Sequence, residues 1–343
     1  MKKKVAVLLA MAMVAGVLSG CGGSGGKETS GLISEIFAHY FDNPVLARME
    51  DSGIVDGAER IALTTDSFVV TPLFFPGGDI GRLSICGTVN DLLMSGAVPR
   101  YLTCGFILEE GADTEVLKRV AQSMAQAANE AGVSIIAGDT KVIEGNGGIY
   151  INTAGVGFVR SGIEIGAENC RGGDAVLVSG ELGDHHAAIL SARMQIENTI
   201  RSDCAPLNDM VEALIKNGIE LHAMRDITRG GLATIAGEFA RASGCCIELE
   251  EKRLPVNEQV KAFCGILGLD PLYMGNEGKM AVVVAEKDEQ RALQCLKESR
   301  YGENAAAVGH VTHRENGMVL MKTAIGGTRV VPELMGEGLP RIC

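Results

Sequence analysis

Segments with the pattern of a strand and segments with the pattern of a helix follow one another along almost the whole chain. The apolar run 175–178 is typical of a buried strand, and residues 113–132 begin with Asp-Thr and end with Gly, as a capped helix does. Elements in this mixed order pack as layers of helices and sheets, and the chain has no short repeat of the solenoid type. The pattern therefore predicts an α/β (α+β) fold.

The length of 343 residues exceeds what one hydrophobic core usually fills, so we predict two domains. A β-rich stretch ends near residue 159, and a Gly-Gly-Asp turn at 172–174 leads into the next buried strand. The predicted boundaries are 1–21 for a signal-like or mis-assigned N-terminal segment, 22–162 for the first domain, 163–325 for the second, and 326–343 for a mobile tail.

Charge and composition exclude some classes of function. The net charge of -12 argues against binding nucleic acid, because that affinity comes mainly from Lys and Arg contacts with phosphates. Aromatic residues make up only 4% of the chain, which disfavours stacking sites for sugars or bases. The 45 glycines indicate tight loops and close backbone approaches, as phosphate sites need. We therefore favour a small phosphorylated ligand over a nucleic acid.

The cysteines and the N-terminus point to different compartments. Ten cysteines without a CxxC pair indicate free thiols in a reducing compartment, hence a cytoplasmic protein. Yet Lys2 to Lys4 precede an apolar run, 5–18, and then Leu18-Ser19-Gly20-Cys21, the form of a bacterial lipoprotein signal. The run is too short for a membrane-spanning helix. A buried first strand and a surface lipoprotein that acts as a binding module both remain open.

Four aspartates have glycine or hydroxyl neighbours and are predicted in or beside turns. They are Asp66, Asp91, Asp139 and Asp226. Magnesium takes oxygen ligands and usually keeps waters and substrate phosphates, so carboxylates on separate loops suit a nucleotide–metal site. Each aspartate alone is more often a turn or cap residue. As a set in a glycine-rich chain, they predict a site.

Other sequence patterns for chemistry are weak or absent. A Walker A loop ending at Gly26-Lys27 would need glycine at Cys21 and Ser or Thr at Glu28, so the loop is not a P-loop. There is no GxSxG and no HExxH motif. The pair His185-His186 beside Asp184 suits a metal, although such a pair more often begins a helix. Hydrolase and zinc-protease readings therefore have no support.

The chain ends in a cysteine that carries both a thiol and the terminal carboxylate. Glycines and prolines interrupt the last eighteen residues, so we expect a mobile tail rather than a helix or strand. Extended, the tail spans about 60 Å. Cys343 is either an incidental residue on a frayed end or a carrier that reaches a site, where Glu277 would supply a base and Lys141 a stabilising charge. Solvated loop charges are the alternative for Glu277 and Lys141.

Long motifs in a fixed order resemble the hydrogenase maturation protein HypE family from Gly23 to Cys343. The closing Pro340-Arg341-Ile342-Cys343 is that family's hallmark. Further matching motifs are Thr65-Asp66-Ser67, Asn90-Asp91, Gly138-Asp139-Thr140-Lys141, Asp226 with Thr228-Arg229-Gly230-Gly231, and Asn276-Glu277-Gly278-Lys279. The sequence departs from the family at Gly22, where a histidine is usual, and at His186, where a small residue is common.

The resemblance implies a fold and a reaction. The fold is the two-domain aminoimidazole-ribonucleotide-synthetase-like (PurM-like) type with a flexible C-terminal tail, commonly a homodimer through the N-terminal sheets. The carbamoyltransferase HypF places a carboxamide on the Cys343 thiol. Mg-ATP phosphorylates the amide oxygen, which makes it a better leaving group, and loss of phosphate leaves a thiocyanate. The cyanide passes through a HypC–HypD scaffold to the iron of a nickel–iron hydrogenase.

The resemblance also implies roles for residues. Cys343, Lys141 and Glu277 form the catalytic set. Asp66, Asp91 and Asp226 are expected to bind magnesium, and the nucleotide-binding set comprises Asp66, Asn90, Asp91, Asp139, Thr140 and Asp226. Another ATP-using superfamily enzyme, such as selenophosphate synthetase, is the alternative, but it would leave the cysteine-terminated tail unexplained.

Overall fold

The structure is a computed structural model that describes residues 33–48, 52–315 and 317–332. The segment 1–21, with Cys21, and the terminal Cys343 lie outside these ranges. No helix within the ranges is long and apolar enough to cross a membrane. As predicted from the cysteine spacing, the described cysteines carry free thiols, and most of them are buried.

The first domain is one four-stranded sheet with helices on one face. A helical segment precedes it, with Ile33–Phe37 a π-helix and Ala38–Tyr40 a single α-helical turn. The other elements are β1 (Ile61–Phe68), β2 (Phe74–Phe75), β3 (Gly78–Asp79), α1 (Ile80–Met94), β4 (Ala97–Glu109), α2 (Thr114–Ala131), β5 (Ser134–Ile143) and β6 (Ile149–Val159). The sheet order is β1-β6-β4-β5, with β4 and β5 parallel and the other pairs antiparallel.

Local sequence explains α2 as predicted. Asp113 caps the helix by accepting a hydrogen bond from the backbone N–H of Glu115 at 2.9 Å. Gly132 ends it in the left-handed region, with φ +67°. Between the caps, Leu117, Val120 and Met124 repeat at helical spacing and are fully buried. This face packs on α1, which in turn covers β1 and β6.

The other face of the sheet is uncovered by the described residues. Apolar side chains stand on it in alternation, with Leu63 75% exposed and Ile61, Ile107 and Ile143 also exposed. Alternate residues of a strand point to opposite faces, so this row and the helix-covered row belong to one sheet. A monomer of this kind leaves an apolar sheet surface in water, which marks it as a candidate interaction surface.

The second domain is built on one large sheet. Its strands are β7 (Ala175–Val178), β8 (Leu221–Asp226), β9 (Cys245–Glu250), β10 (Met280–Val284), β11 (Ala306–Glu315), β12 (Val319–Lys322) and β13 (Thr328–Val330). Its helices are α3 (Asp184–Met194), α4 (Asn208–Lys216), α5 (Gly231–Ser243), α6 (Glu258–Leu267) and α7 (Glu289–Glu298). The strand order is β13-β12-β9-β11-β7-β10-β8. Every residue of β7 and β10 is buried, as central strands of a covered sheet require.

Two predicted turns are wrong. The segment 138–141 lies inside β5, where a Cβ on Gly138 would be 2.5 Å from the carbonyl oxygen of Cys104 on the neighbouring strand. The glycine therefore allows a close strand approach rather than a reversal. Asp66 likewise lies inside β1, opposite Thr153 of β6, and not between two strands.

The predicted start of the irregular tail is also wrong. Thr328–Val330 forms a strand that pairs antiparallel with β12. A tight turn at 323–327 makes this possible, because the N–H of Thr323 donates to the carbonyl of Gly327 at 2.8 Å. Val331 is buried against the second domain's core. The tail is thus integrated into the sheet through its first residues, and its remainder lies outside the described ranges.

A charged network joins the two domains. Arg82 of α1 donates to Glu130 of α2 at 2.7 Å and to the carbonyl oxygen of Cys204 at 2.8 Å. From the second domain, Tyr301 donates to Glu130 at 2.5 Å, and Arg300 lies 2.9 Å from the same carboxylate. Beside this network lies an interdomain cavity of about 420 Å³. The contacts set how the second domain faces the first.

Candidate active site

Three of the predicted carboxylates meet where the domains face each other. Asp66 lies on β1, Asp91 on α1, and Asp226 at the end of β8. Thr64 donates a hydrogen bond to Asp91 at 2.8 Å, which ties β1 to α1. Asp91 and Asp226 line one cleft of about 320 Å³. Gly87 lets α1 lie close to β1, because a Cβ there would be only 3.0 Å from the ring of Phe68.

The three carboxylates act on one another electrostatically. Burial raises the pKa of Asp226 to about 7, and the charges of Asp91 and Asp66 add to the shift. Burial also raises the pKa of Asp91, with a contribution from Asp66, although the Thr64 hydrogen bond works against it. Burial raises the pKa of Asp66 as well. Such mutually repelling carboxylates are suited to a bound cation, which would relieve the repulsion.

The carboxylates alone do not form a finished metal site. In the three described ranges, no group of three or more His, Cys, Asp or Glu side chains could hold a metal ion by itself. Magnesium typically takes only one or two carboxylates and completes its shell with water and substrate phosphates. One or two of these carboxylates would therefore suffice for a magnesium ion that arrives with a nucleotide, and the assignment of Asp66, Asp91 and Asp226 as its ligands stays a prediction.

Glu277 lies on a loop that approaches the same carboxylates from the second domain. Its backbone N–H donates to Asp203 at 3.1 Å, and its carbonyl accepts from Ala205 at 3.4 Å. Burial raises the pKa of the Glu277 carboxyl well above its usual range, and the charges of Asp226 and Asp203 raise it further. A raised pKa makes the ionised carboxylate a stronger proton acceptor, as a general base requires.

Asn90 is buried and fastens the loop beside Glu277. Its Nδ2 donates to the carbonyl of Ala205 at 3.1 Å, and its Oδ1 accepts from the N–H of Leu207 at 3.0 Å. The amide thus links α1 of the first domain to the segment 205–207 of the second. The contact between Asn90 and the nucleotide stays a prediction, since these two hydrogen bonds of the Asn90 side chain are to the protein backbone.

Asp139 and Lys141 lie on the open face of the first sheet, away from the three clustered carboxylates. The register pairs Ser67 with Asn152, Asn152 with Gly105, and Gly105 with Asp139. Asn152 donates to the Ser67 hydroxyl at 3.0 Å on the open face, so Asp139 also belongs to the open face. Lys141 pairs with Asp139 at 2.9 Å, and this hydrogen bond lowers the pKa of the carboxyl. Thr140, between them, points to the helix-covered face.

The sheet therefore separates the predicted site residues into two groups. Asp66 shares its face with Thr64 and Phe68 and looks toward α1, whereas Asp139 and Lys141 look away from the helices. Their strands, β1 and β5, are at opposite edges, three strand spacings or about 14 Å apart. Within one chain, Asp66, Asp91, Asp226 and Glu277 come together, and Asp139 and Lys141 do not join them.

Sequence patterns did not single out Asp203. Its carboxylate accepts hydrogen bonds from the Asn276 side chain and from the N–H groups of Glu277 and Gly278. All three donors are more than 70 residues away in sequence, so no local spacing marks this residue. Its contacts are evident only from the fold, which brings the two loops together.

The histidine pair begins a helix rather than forming a metal centre. His185 and His186 are buried in the first turn of α3, and His185 Nδ1 lies 2.8 Å from the Ser202 hydroxyl. Burial lowers the pKa of His185 to about 4. The backbone N–H of His186 donates to the carbonyl of Gly275 at 3.1 Å, next to the loop that carries Glu277. The unusual His186 thus packs behind the candidate site.

The last described residue is tied close to the same loop. The hydroxyl of Tyr273 donates a hydrogen bond to the carbonyl oxygen of Pro332 at 2.8 Å. Tyr273 precedes Glu277 by only four residues. Eleven residues follow Pro332, and a chain of that length spans at most about 36–40 Å. The tether therefore leaves the C-terminus within reach of Glu277.

Comparisons with known proteins agree on a family. Residues 49–159 match the AIR synthase related protein N-terminal domain, and residues 171–322 match its C-terminal domain. The chain is 45% identical to carbamoyl dehydratase HypE of Rhodobacter capsulatus over 94% of its own length and 96% of the relative. It resembles the crystal structure of hydrogenase maturation protein HypE in complex with ATP, with a TM-score of 0.90 and 45% identity over 94% of this chain and 98% of that one.

A solved complex gives a further likeness. The chain matches the crystal structure of a HypE–HypF complex with a TM-score of 0.78 and 46% identity, over 88% of this chain and 99% of the matched one. The fold predicted from the resemblance, two α/β domains of the PurM-like type, is confirmed by these matches.

Proposed function

Because the chain belongs to the carbamoyl dehydratase HypE family, within the AIR synthase related proteins, we propose that Cys343 carries the carbamoyl group it dehydrates with ATP in hydrogenase maturation. The high identity to HypE proteins argues against selenophosphate synthetase, the alternative that the sequence left open. The observation that carries the assignment of the site is the position of Glu277. Burial raises the pKa of the half-buried Glu277 carboxyl, the charges of Asp226 and Asp66 add to the shift, and the start of the tail is tethered at Tyr273, four residues before Glu277.

The reaction exchanges bonds at one carbon atom. The carbamoyl oxygen attacks the terminal phosphoryl group of ATP, and ADP leaves with the electrons of the broken P–O bond. The C–O bond then breaks with phosphate as the leaving group, both N–H protons are lost, and the carbon–nitrogen triple bond of a thiocyanate forms. Glu277, with its proton affinity raised by burial, accepts one of these protons. The other leaves with phosphate or enters solvent.

The three carboxylates of the cleft would hold the magnesium ion. Bound magnesium neutralises the charge that develops on the phosphoryl oxygens. Asp91 and Asp226 line one cleft, and Asp66 lies beside them on β1. Burial raises the pKa of all three, and carboxylate repulsion, which a divalent cation would offset, adds to the shifts of Asp91 and Asp226. This part of the proposal assigns the nucleotide phosphates to the cleft between β1, α1 and β8.

Lys141 and Asp139 require a second copy of the chain to act at such a site. They stand on the open face of the first sheet together with exposed apolar residues such as Leu63 and Ile107. Packing two open faces together would bury these residues and bring the β5 edge of one copy toward the β1 edge of the other. We therefore include a homodimer in the proposal, with Lys141 serving the neighbouring site.

The proposal extends to partners and compartment. The likeness to a HypE–HypF complex supports HypF as the carbamoyltransferase that loads Cys343. Transfer of cyanide to a HypC–HypD scaffold follows from the family role, and the need for ATP favours the cytoplasm. The lipoprotein-like segment opposes that location, and lipid labelling of Cys21 followed by fractionation tests it.

The carrier role is tested with Cys343→Ala. The variant is incubated with HypF, a carbamoyl donor and ATP, and ADP formed by this chain is measured after HypF is removed. We expect no carbamoyl-dependent ADP and unchanged ATP binding, because the variant loses the acceptor and keeps the site. Cys295→Ala, at a half-buried free thiol in α7, is the matched control and should behave as wild type. Carbamoyl-dependent ADP in Cys343→Ala would contradict the proposal.

A further inference from the structure

Asn90 stands where three parts of the chain meet. It belongs to α1 of the first domain, and its side chain reaches the backbone of the second domain at three points. Nδ2 donates to the carbonyl of Ala205 at 3.1 Å and, in a longer contact, to the carbonyl of Glu277 at 3.4 Å. Oδ1 accepts from the N–H of Leu207 at 3.0 Å. One side chain therefore ties the helix that carries Asp91 to the loop that carries Glu277.

These contacts use most of the hydrogen-bonding capacity of the Asn90 amide. Its Nδ2 has two N–H donors, and two carbonyl oxygens of the second domain lie within their reach. Only 2% of the residue is exposed. A nucleotide could gain a contact with Nδ2 only by displacing one of the bonds to the backbone, which would leave a carbonyl without its partner. The arrangement favours a link between domains over a ligand of the nucleotide.

The stretch around Ala205 lies between α1 and the Glu277 loop and bonds to both. The N–H of Ala205 donates to the Glu277 carbonyl at 3.4 Å, while its own carbonyl accepts from Asn90. Arg82, about two turns earlier on α1, donates to the carbonyl of Cys204 at 2.8 Å. The helix thus holds two consecutive carbonyls of this stretch. A displacement of the stretch would move the Glu277 backbone with it.

The proposed reaction needs groups from both domains at fixed distances. Asp66 and Asp91 belong to the first domain, whereas Asp226 and Glu277 belong to the second. A misplacement of about 1 Å between reacting groups can cost about a hundredfold in rate. Asn90 directly precedes Asp91 in α1, and its amide contacts the Glu277 backbone. It is therefore placed to hold the proton acceptor of one domain in register with the nucleotide cleft of the other.

We propose that Asn90 is a positioning residue for the dehydration: its amide side chain holds the Glu277 backbone against α1, so that the base and the nucleotide cleft act on one carbamoyl group. The inference rests on the proposed function, because it takes Glu277 as the group that accepts the proton. It gives Asn90 a role different from the nucleotide contact that the family resemblance implies. Asn90 itself touches neither the reacting atoms nor the nucleotide.

A double-mutant cycle with Glu277→Gln tests the proposal. Protein loaded with carbamoyl on Cys343 is mixed with saturating Mg-ATP, and thiocyanate formed in a single turnover is followed by mass spectrometry. We expect Asn90→Ala to slow the wild-type reaction about tenfold to a hundredfold. In the Glu277→Gln background it should slow the reaction less than about twofold, because the carboxyl through which Asn90 acts is already gone. Equal slowing in both backgrounds, or a wild-type rate in Asn90→Ala, would overturn the proposal.

The affinity for ATP separates positioning from nucleotide contact. Calorimetry with Mg-ATP should give Asn90→Ala a dissociation constant within about twofold of wild type, because the variant loses no group that binds the nucleotide. A loss of affinity as large as the loss of rate would overturn the proposal in favour of a nucleotide contact. This measurement decides between the two roles even where Glu277→Gln forms too little thiocyanate for the cycle.

Asn208→Ala is the matched control, because it also removes an amide bond between the domains. The Nδ2 of Asn208 in α4 donates to the carbonyl of Ala131 in α2 at 3.1 Å, and its Oδ1 has no partner among the described residues. The variant should keep the wild-type rate and affinity for ATP. A loss of rate equal to that of Asn90→Ala would overturn the proposal, since any loosening of the domains would then have the same effect.

A second substitution covers a failure of Asn90→Ala to fold. Asn90→Ser keeps a hydroxyl in the buried position and goes through the same measurements, with the same pattern expected and a smaller loss of rate. An unchanged rate in a folded Asn90→Ser together with a folded but unchanged Asn90→Ala would overturn the proposal. Wild-type turnover in Glu277→Gln would refute the proposed base and the inference with it, whereas equal slowing in both backgrounds overturns the inference alone.

Discussion

The Nζ of Lys141 lies 2.9 Å from Oδ2 of Asp139, on the sheet face that the helices leave open. Asp66 is on the other side of that sheet, toward α1, and Asp91 is on α1 itself. The two groups of predicted site residues therefore lie on opposite faces of one sheet within a single chain. A second copy packed on the open face is the simplest arrangement in which both groups serve one reaction.

Mixing two inactive variants tests this arrangement. Lys141→Ala and Glu277→Gln are each expected to form little thiocyanate, since one loses the charge stabiliser and the other the base. After mixing and subunit exchange, a mixed dimer has one site with Glu277 from one chain and Lys141 from the other. We expect roughly a quarter of the wild-type rate per chain after random pairing. Each variant mixed with itself is the control, and no recovery in the mixture would place Lys141 outside the neighbouring site.

Removing one carboxylate of the cleft should weaken nucleotide binding only when magnesium is present. In Asp226→Asn we expect the affinity for ATP with magnesium to fall at least about tenfold, because a metal ligand is lost. Without magnesium, the variant should bind ATP at least as tightly as wild type, because a negative charge near the phosphates is lost. Isothermal titration calorimetry with and without a chelator measures both affinities. An equal loss under both conditions would argue against Asp226 as a metal ligand.

Asp184 makes the stability of the protein depend on pH. Burial raises its pKa from 3.8 to about 7, and Asp203 and Glu181 add to the shift while Lys279 opposes it. The folded chain therefore binds more protons than the unfolded chain between these values, and the free energy of unfolding falls as pH rises from about 4 to about 7. The stabilisation that the folded chain gains by binding this proton is fully present at low pH and is lost above about pH 7.

Asp184→Asn removes that contribution. We expect the variant to gain stability relative to wild type as pH rises, with the largest difference above about pH 7. Urea unfolding at several pH values measures it. The matched control is Asp56→Asn, at an exposed loop residue, which should follow the wild-type curve. A constant difference between Asp184→Asn and wild type across the pH range would contradict the assignment.

Gly138 shows how a local pattern can mislead. Its motif has the composition of a turn, but in the sheet the residue lets β5 approach β4. Gly138→Ala would place a methyl group 2.5 Å from the Cys104 carbonyl, and overpacking of this kind typically costs about 1–3 kcal/mol. Gly265→Ala, in α6 with no atom within 4 Å of the new methyl, should be neutral or stabilising by up to about 1 kcal/mol. Equal free energies of unfolding of the two variants in urea would contradict the role of Gly138 in the close approach of β5 to β4.

The comparison of sequence with structure separates local signals from long-range ones. Helices such as α2 were predictable because Asp113 and Gly132 mark their own ends. Asp66, Asp91 and Asp226 were predictable as candidates, and the structure brings them together. Asp203 was not, because its donors come from a distant loop.

The separation of Lys141 from Glu277 depends on strand register. A shift of one residue would have put Lys141 on the other face of the sheet. Register is fixed by pairing with β4, which spacing along one chain does not show. For the same reason the strand 328–330 was missed, since it forms only by pairing with β12.

The mass of the C-terminal peptide tests the central claim most directly. HypF loads a carbamoyl group onto wild-type protein and Glu277→Gln, which are then incubated with Mg-ATP and digested. The mass of the peptide that ends in Cys343 is measured by mass spectrometry. We predict that the wild-type peptide gains a carbamoyl group and then loses the mass of one water, whereas Glu277→Gln keeps the carbamoyl group. A wild-type peptide that keeps the carbamoyl group with ATP present, or the same loss of water on another cysteine, would contradict the account.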